Sequence, residues 1–430
     1  MKNGKKIFII AYLIVVSLFD FMGLGIVVTV FPKLLLDPSL HLLSSTWTST
    51  AKLAILGVML AIYPLGQFMG AAVFGKLSDV HGRKKLLLIT LSGTLFGFFI
   101  SAVAIDLHSC LGLFIGRLIT GFSAGNVAIA QASITDISED STKGRNISLL
   151  QLVLGVAWVI GPPLGGILSD ASLVHWFNFA TPFWFMTILL LLILCLTPWL
   201  FSETIVKGMN HQTKFTGLLG NVKQMRLFLK SNTIKIGLFS WGVFVCGWWL
   251  FEAYLPTYLL QELRFSPVKI GEFLGIMGAT YTISQCVVMY SMKWFNPKKM
   301  VIYSLFISGI SVIFLPYIAF DGGWLHIFIT AYVISMAFAI PGLITTISNL
   351  TGREDQGQMM GLISSIQALA TVSMMLLGGP LEAISQKITI VGGGVLLVSG
   401  WALFACYFLR FSQNKGNNLK LSFIKQEEII

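Results

Sequence analysis

Charge is what this chain has least of. Only 11% of its 430 residues are Asp, Glu, Lys or Arg, against 55% hydrophobic, whereas soluble domains carry about 25% charged residues. Too little polar surface remains to cover a fold in water. Histidine is also thin: His41, His81, His108, His175, His211 and His326 are scattered through the chain. They form no metal-ligand spacing and no paired nucleophile and base, which leaves a membrane-embedded enzyme or sensor without its constellation. Five cysteines, four of them inside apolar runs, give neither a disulfide framework nor a metal spacing. No GxxxxGK[ST] loop occurs. That argues against built-in ATP hydrolysis and leaves an ion gradient, the proton first, as the energy source, with no cofactor and no metal.

What the sequence has is long apolar runs. They fall near 7–31, 53–75, 86–106, 111–135, 146–169 and 181–201, then near 234–260, 269–293, 300–320, 325–349, 358–383 and 389–410, each long enough to cross about 30 Å of hydrocarbon. The first run follows a basic start and is longer than a signal-peptide core, so it reads as a retained span. Forty-two glycines and thirteen prolines suit spans, where neighbouring helices satisfy the freed backbone groups. The expected fold is an all-α membrane protein of twelve helices.

With the N-terminus inside, 23 of the 29 Lys and Arg residues fall in inner segments. This asymmetry fixes the orientation, places both termini in the cytoplasm and accounts for the net charge of +11 without nucleic acid. Lipid and a small-molecule substrate are the implied partners. The longest polar segment, 202–233, mixes basic and apolar residues at helical spacing and reads as a linker with a helix on the inner membrane surface. It separates an N-terminal bundle, 1–201, from a C-terminal bundle, 234–411, with a cytoplasmic tail at 412–430.

The two halves resemble each other. Gly144 and Gly165 recur as Gly357 and Gly378 at a constant offset of 213, and Met59, Tyr63 and Gln67 recur as Met277, Tyr281 and Gln285. Two pseudo-symmetric six-helix bundles in the same orientation are the architecture of transporters whose site lies between halves and opens to alternate sides.

Three motifs sharpen this reading. Gly75-x-Leu77-x-Asp79 followed by Gly82-Arg83-Lys84 joins spans two and three; span four carries Arg117-x-x-x-Gly121; span five carries Gly161-Pro162-Pro163-Leu164-Gly165-Gly166. Together they resemble the major facilitator superfamily, and within it the twelve-span drug:proton antiporters of the tetracycline-efflux kind. The resemblance implies a cytoplasmic gate at the first motif and a tilt toward export at the third. In the first, glycines permit a tight turn and Asp79 offers an acceptor to Arg83 and Lys84, although a basic turn obeying the positive-inside rule would use the same lysines. In the third, Pro162 and Pro163 remove backbone donors and bend the helix, while the glycines allow close helix contact.

Ionisable groups inside spans complete the candidates. Asp20 lies near mid-membrane, and Arg117 is placed to reach it if spans one and four adjoin; the pair either exchanges a proton for substrate or only orders the bundle. Glu252 sits among Trp248, Trp249 and Tyr254 in span seven, reading equally as part of a site for an amphiphilic ligand or as an interfacial belt. On a helical wheel Gln131 shares a side with Arg117 and Asn126 lies opposite, so Gln131, with Gln367 of span eleven, is the cavity candidate. The functional expectation is proton-coupled export of a small amphiphile across the bacterial inner membrane. Uptake of a nutrient, such as an amino acid or iron-chelate, is the rival.

Overall fold

The computed structural model describes residues 3–204, 231–291, 297–318, 322–348, 350 and 356–427. Among them every regular element is helical: α1 (Asn3–Leu36), a short 3-10 turn at Pro38–Leu40, α2 (Ser49–His81), α3 (Arg83–Asp106), α4 (Cys110–Ser123), α5 (Asn126–Ile137), α6 (Asp140–Leu168), α7 (Thr181–Leu200), α8 (Asn232–Gln261), α9 (Pro267–Ser291), α10 (Pro297–Ile318), α11 (Gly322–Ser348), α12 (Gln356–Ile384) and α13 (Gln386–Glu427). A chain this apolar has little choice. In hydrocarbon each backbone group must be satisfied within its own segment, and buried hydroxyls follow the same rule by bonding back one turn, as Ser17 does to the Leu13 carbonyl at 2.9 Å and Thr90 to that of Leu86 at 2.9 Å.

Ten helical stretches among the described residues are long and apolar enough to cross a membrane, with α4 and α5 counted as one span, Cys110–Ile137. Two of the twelve expected spans are not among them. Of α6, the stretch Leu152–Leu168 counts as a shorter apolar helix. α9 has 25 residues, a length that suffices to cross. The surface helix expected within the linker falls on residues outside those described.

Polar caps start several helices. Thr48 accepts from the Ala51 amide to start α2, and Ser109 accepts from the Gly112 amide to start α4. Asp37 starts the 3-10 turn, and hydrogen bonds from Ser39 hold its carboxyl below the usual range. Between α2 and α3 the chain turns on one residue, Gly82, at φ +99°, a backbone region that side chains with a Cβ rarely adopt. Gly75 lies inside α2 with open space around it, so the tight turn expected of both glycines belongs to Gly82 alone.

The chain forms two compact units. The first joins Met1–Thr213 to Glu252–Gln285 and Thr371–Thr389; the second is Lys214–Phe251, Cys286–Ala370 and Ile390–Ile430. Small residues let helices approach within each. In the second unit, a Cβ on Gly247 would stand 2.7 Å from the Gly393 carbonyl oxygen, while Ser240 donates to the Gly400 carbonyl at 2.8 Å and the Trp241 indole to that of Ile363 at 3.2 Å. In the first unit, α1 and α6 come close where Cβ atoms on Gly161 and Gly165 would meet the Met22 and Ile26 carbonyl oxygens at 2.7 and 2.8 Å.

Candidate functional site

The first unit carries its polar chemistry in three places. At the core of the helices, Asp20 on α1 is 6% exposed. Its Oδ1 accepts a hydrogen bond from Asn126 Nδ2 at 3.3 Å, and the same amide reaches Thr94 Oγ1 on α3 at 3.3 Å. The other oxygen, Oδ2, has no partner. Arg117 is 2% exposed, yet it is not within ion-pair distance of Asp20. Its guanidinium lies over the rings of Tyr63, at 4.8 Å, and Phe31, at 5.7 Å, with Nε unpartnered. Two aromatic faces thus stand where a carboxylate was expected.

The expected Asp20–Arg117 pair is therefore replaced by Asp20–Asn126. The helical wheel sets Asn126 aside only for one unbroken helix, and the helix is interrupted at Ala124 and Gly125, between α4 and α5. Gln131 is half-buried on α5.

At the α2–α3 turn Arg83 is 6% exposed and bound on several sides. Nη1 meets Asp79 Oδ1 at 2.5 Å and donates to Ser78 Oγ at 2.6 Å; Nε donates to Asp136 Oδ2, at the end of α5, at 3.0 Å. The Glu203 carboxylate sits across the start of α3, accepting from the Arg83 and Lys84 backbone amides at 2.9 and 3.2 Å. An acid there satisfies two orphan donors and complements the helix dipole. Lys84 Nζ donates to the Pro198 carbonyl on α7 at 2.6 Å. The motif thus ties α2, α3, α5 and the chain after α7 together. Asp136 and Glu203 were not singled out from sequence; the available signal was that acids are few, and both sit just past the end of an apolar run.

The third place is α6, whose Gly-Pro motif is two-sided. Toward α1, a Cβ on Gly25 would stand 2.7 Å from Pro162 Cδ; toward α9, Cβ atoms on Gly166 and Gly275 would stand 2.5 Å from the Pro267 carbonyl oxygen and 2.6 Å from Pro163 Cγ. Pro162 and Pro163 cannot donate to the carbonyls four residues back, those of Trp158 and Val159. Glycines of α9 cover these same carbonyls. The Cβ direction of Gly278 ends 2.8 Å from the Trp158 oxygen and that of Gly275 ends 3.1 Å from the Val159 oxygen, so the glycine Hα atoms there point at the freed acceptors.

Glu252, Trp248 and Trp249 are half-buried on α8. The two indoles stack at 5.4 Å and 21°, and neither indole nitrogen has a partner. Gln367 is half-buried on α12. Tyr254 is fully buried; its hydroxyl donates to the Met375 carbonyl at 2.5 Å, and its ring packs on Gly378. It therefore knits α8 to α12.

Sequence comparison places this chain beside drug-resistance proteins. Tetracycline resistance protein class C of Escherichia coli is 27% identical over 389 residues, 90% of this chain and 91% of that one. Quinolone resistance protein NorA of Staphylococcus aureus is 26% identical over 384 residues, 88% and 90% of the two chains. Among solved structures, an inward-facing bacterial homologue of the human lysosomal transporter Spinster matches with a TM-score of 0.74 at 12% identity, covering 95% of this chain and 98% of that one. The inward-open xylose transporter XylE of E. coli matches at 0.73 and 17%, covering 93% and 95%. These matches establish the fold. The Major Facilitator Superfamily model spans residues 13–375, and with the helical architecture above it settles the matter: the chain belongs to this superfamily of multi-pass membrane transporters, which are not enzymes.

Proposed function

We propose that this protein is a proton-coupled antiporter that exports a small amphiphilic, drug-like molecule across the bacterial inner membrane, with both termini in the cytoplasm. The six-span halves, 1–201 and 234–411, rock about a shared site to give alternating access. The observation that carries the reading is Asp20: a buried carboxylate with one oxygen held by Asn126, the other free, and no cation in contact. An acid that is neither neutralised nor fully bonded is built to take and lose a proton. The names of the relatives, which concern tetracycline and quinolone resistance, support the substrate class.

In this scheme Asp20 binds the incoming proton, and Arg117, cradled by Tyr63 and Phe31, sets the field around it. Glu252 with Trp248 and Trp249 contributes to the substrate cavity, together with Gln131 and Gln367, whereas the buried Tyr254, expected there too, holds α8 against α12. Gly75, Asp79, Gly82, Arg83 and Lys84 form the cytoplasmic gate, and Gly161, Pro162, Pro163, Gly165 and Gly166 the packed hinge on the opposite side. The test separates coupling from binding. In proteoliposomes loaded with tetracycline, an Asp20→Asn protein should lose proton-driven transport to background yet keep substrate-for-substrate exchange. Uphill transport by Asp20→Asn under a proton gradient would remove Asp20 from the mechanism.

A further inference from the structure

One buried acid plays no part in the scheme above. Glu382, on the last turn of α12, is 2% exposed. Its Oε1 has no hydrogen-bond partner, and among the described residues no basic nitrogen comes within 4.0 Å of it. Its Oε2 is bonded to Thr389 Oγ1, on the first turn of α13. The carboxyl lies one turn beyond a close helix approach. A Cβ on Gly57 of α2 would stand 2.6 Å from the Met375 carbonyl oxygen and 2.8 Å from Tyr254 Oη, and one on Gly379 would stand 3.1 Å from Ala54 Cα.

The hydrogen bonds around Glu382 do not add up for a carboxylate. Thr389 Oγ1 lies in donor position to both Glu382 Oε2 and the Gln386 carbonyl, the latter at 3.1 Å, and a hydroxyl has one proton. With Glu382 ionised, one acceptor goes without. With a proton on Oε2 the chain closes: the Glu382 O–H donates to Thr389 Oγ1, and the Thr389 hydroxyl donates to the Gln386 carbonyl. Burial favours the same form, since an ionised carboxylate with no counter-charge costs several kcal/mol.

The ionisable groups facing Glu382 do not supply that counter-charge. Tyr254 on α8 and Glu262 just beyond it are near enough to act on the carboxyl electrostatically, but the Tyr254 hydroxyl is already engaged by Met375 and Gly379, and Glu262 is itself an acid. On α2, Lys52 is buried one residue before Leu53, whose carbonyl abuts Gly379, and it makes no ion pair with Glu382. On α13, Lys387 is exposed.

We infer that Glu382 is a second proton-binding site, at the α2–α8–α12 contact, neutral while that contact is closed and releasing its proton to water when the contact opens. The inference rests on the proton-coupled reading above for its role in transport, but not for its existence. The proton moves from Oε2 to solvent, Thr389 then donates to the carboxylate, and water supplies the remaining hydrogen bonds.

Two measurements without substrate test it. Infrared difference spectroscopy across a pH step should show a protonated-carboxyl C=O band that vanishes in Glu382→Gln and changes frequency in Thr389→Val; Thr389→Val also serves if the glutamine protein fails to fold. Spin labels at Thr46→Cys and Ser385→Cys, both exposed positions, in a background with the five native cysteines replaced, should show a longer distance growing in as pH rises. Glu382→Gln should hold the short distance throughout. A band untouched by either substitution, or a glutamine protein whose distances titrate as in the parent, would overturn the inference. Failure of proton-driven tetracycline transport with both signals intact would instead count against the antiport reading alone.

Discussion

Arg83 shows what a single side chain holds together. It bridges Asp79 and Asp136 while its own backbone amide is capped by Glu203. A lysine offers one ammonium where the guanidinium presents several fixed donors. Arg83→Lys should therefore lose at least one charge-assisted hydrogen bond, costing about 1.5–3 kcal/mol, seen as a lowered melting temperature in detergent. An unchanged melting temperature would mean that the network is held by Asp79 alone. At this scale sequence was a fair guide to which residues matter and a poor guide to their partners. Asp20 stands out in any apolar run, because an acid there is costly. Its partner does not stand out: Arg117 was the expected one on charge, yet the neutral Asn126 makes the bond while two aromatic rings take the arginine. Opposite charges attract in any reading of a sequence, whereas stacking on Tyr63 depends on a packing geometry that no local pattern encodes.

Single elements were more legible. The length and apolarity that fix α1, α2 and α3 are local properties, and so is the Gly82 turn between the last two. What stayed hidden was phase and partnership. The interruption at Ala124 and Gly125 lies inside an apolar run that reads as one helix. The Gly-Pro motif of α6 was visible, but its complement, the Gly271, Gly275 and Gly278 row of α9, becomes meaningful only once the two helices are side by side. That row yields a prediction. A Cβ at Gly278 would stand 2.7 Å from the Trp158 carbonyl carbon, closer than packed atoms tolerate, and overpacking costs about 1–3 kcal/mol. Gly278→Ala should thus depopulate the closed α6–α9 contact by about 5- to 150-fold. Crosslinking between cysteines placed on the two helices should fall accordingly, and crosslinking at parent levels would show that the helices yield without cost.

For the molecule as a whole, composition alone dictates membrane-spanning helices, and the internal repeat argues for a transporter. Direction and substrate are different in kind. Amphiphiles are recognised by common side chains whose positions depend on tertiary packing, and the same fold serves import and export. The central claim is that a proton gradient drives substrate out of the cell through Asp20. It is tested most directly by tetracycline uptake into inverted membrane vesicles acidified inside. The account predicts accumulation that collapses when the gradient is dissipated and is absent with Asp20→Asn. Accumulation instead in right-side-out vesicles under an inward proton gradient would contradict it and make the protein an importer.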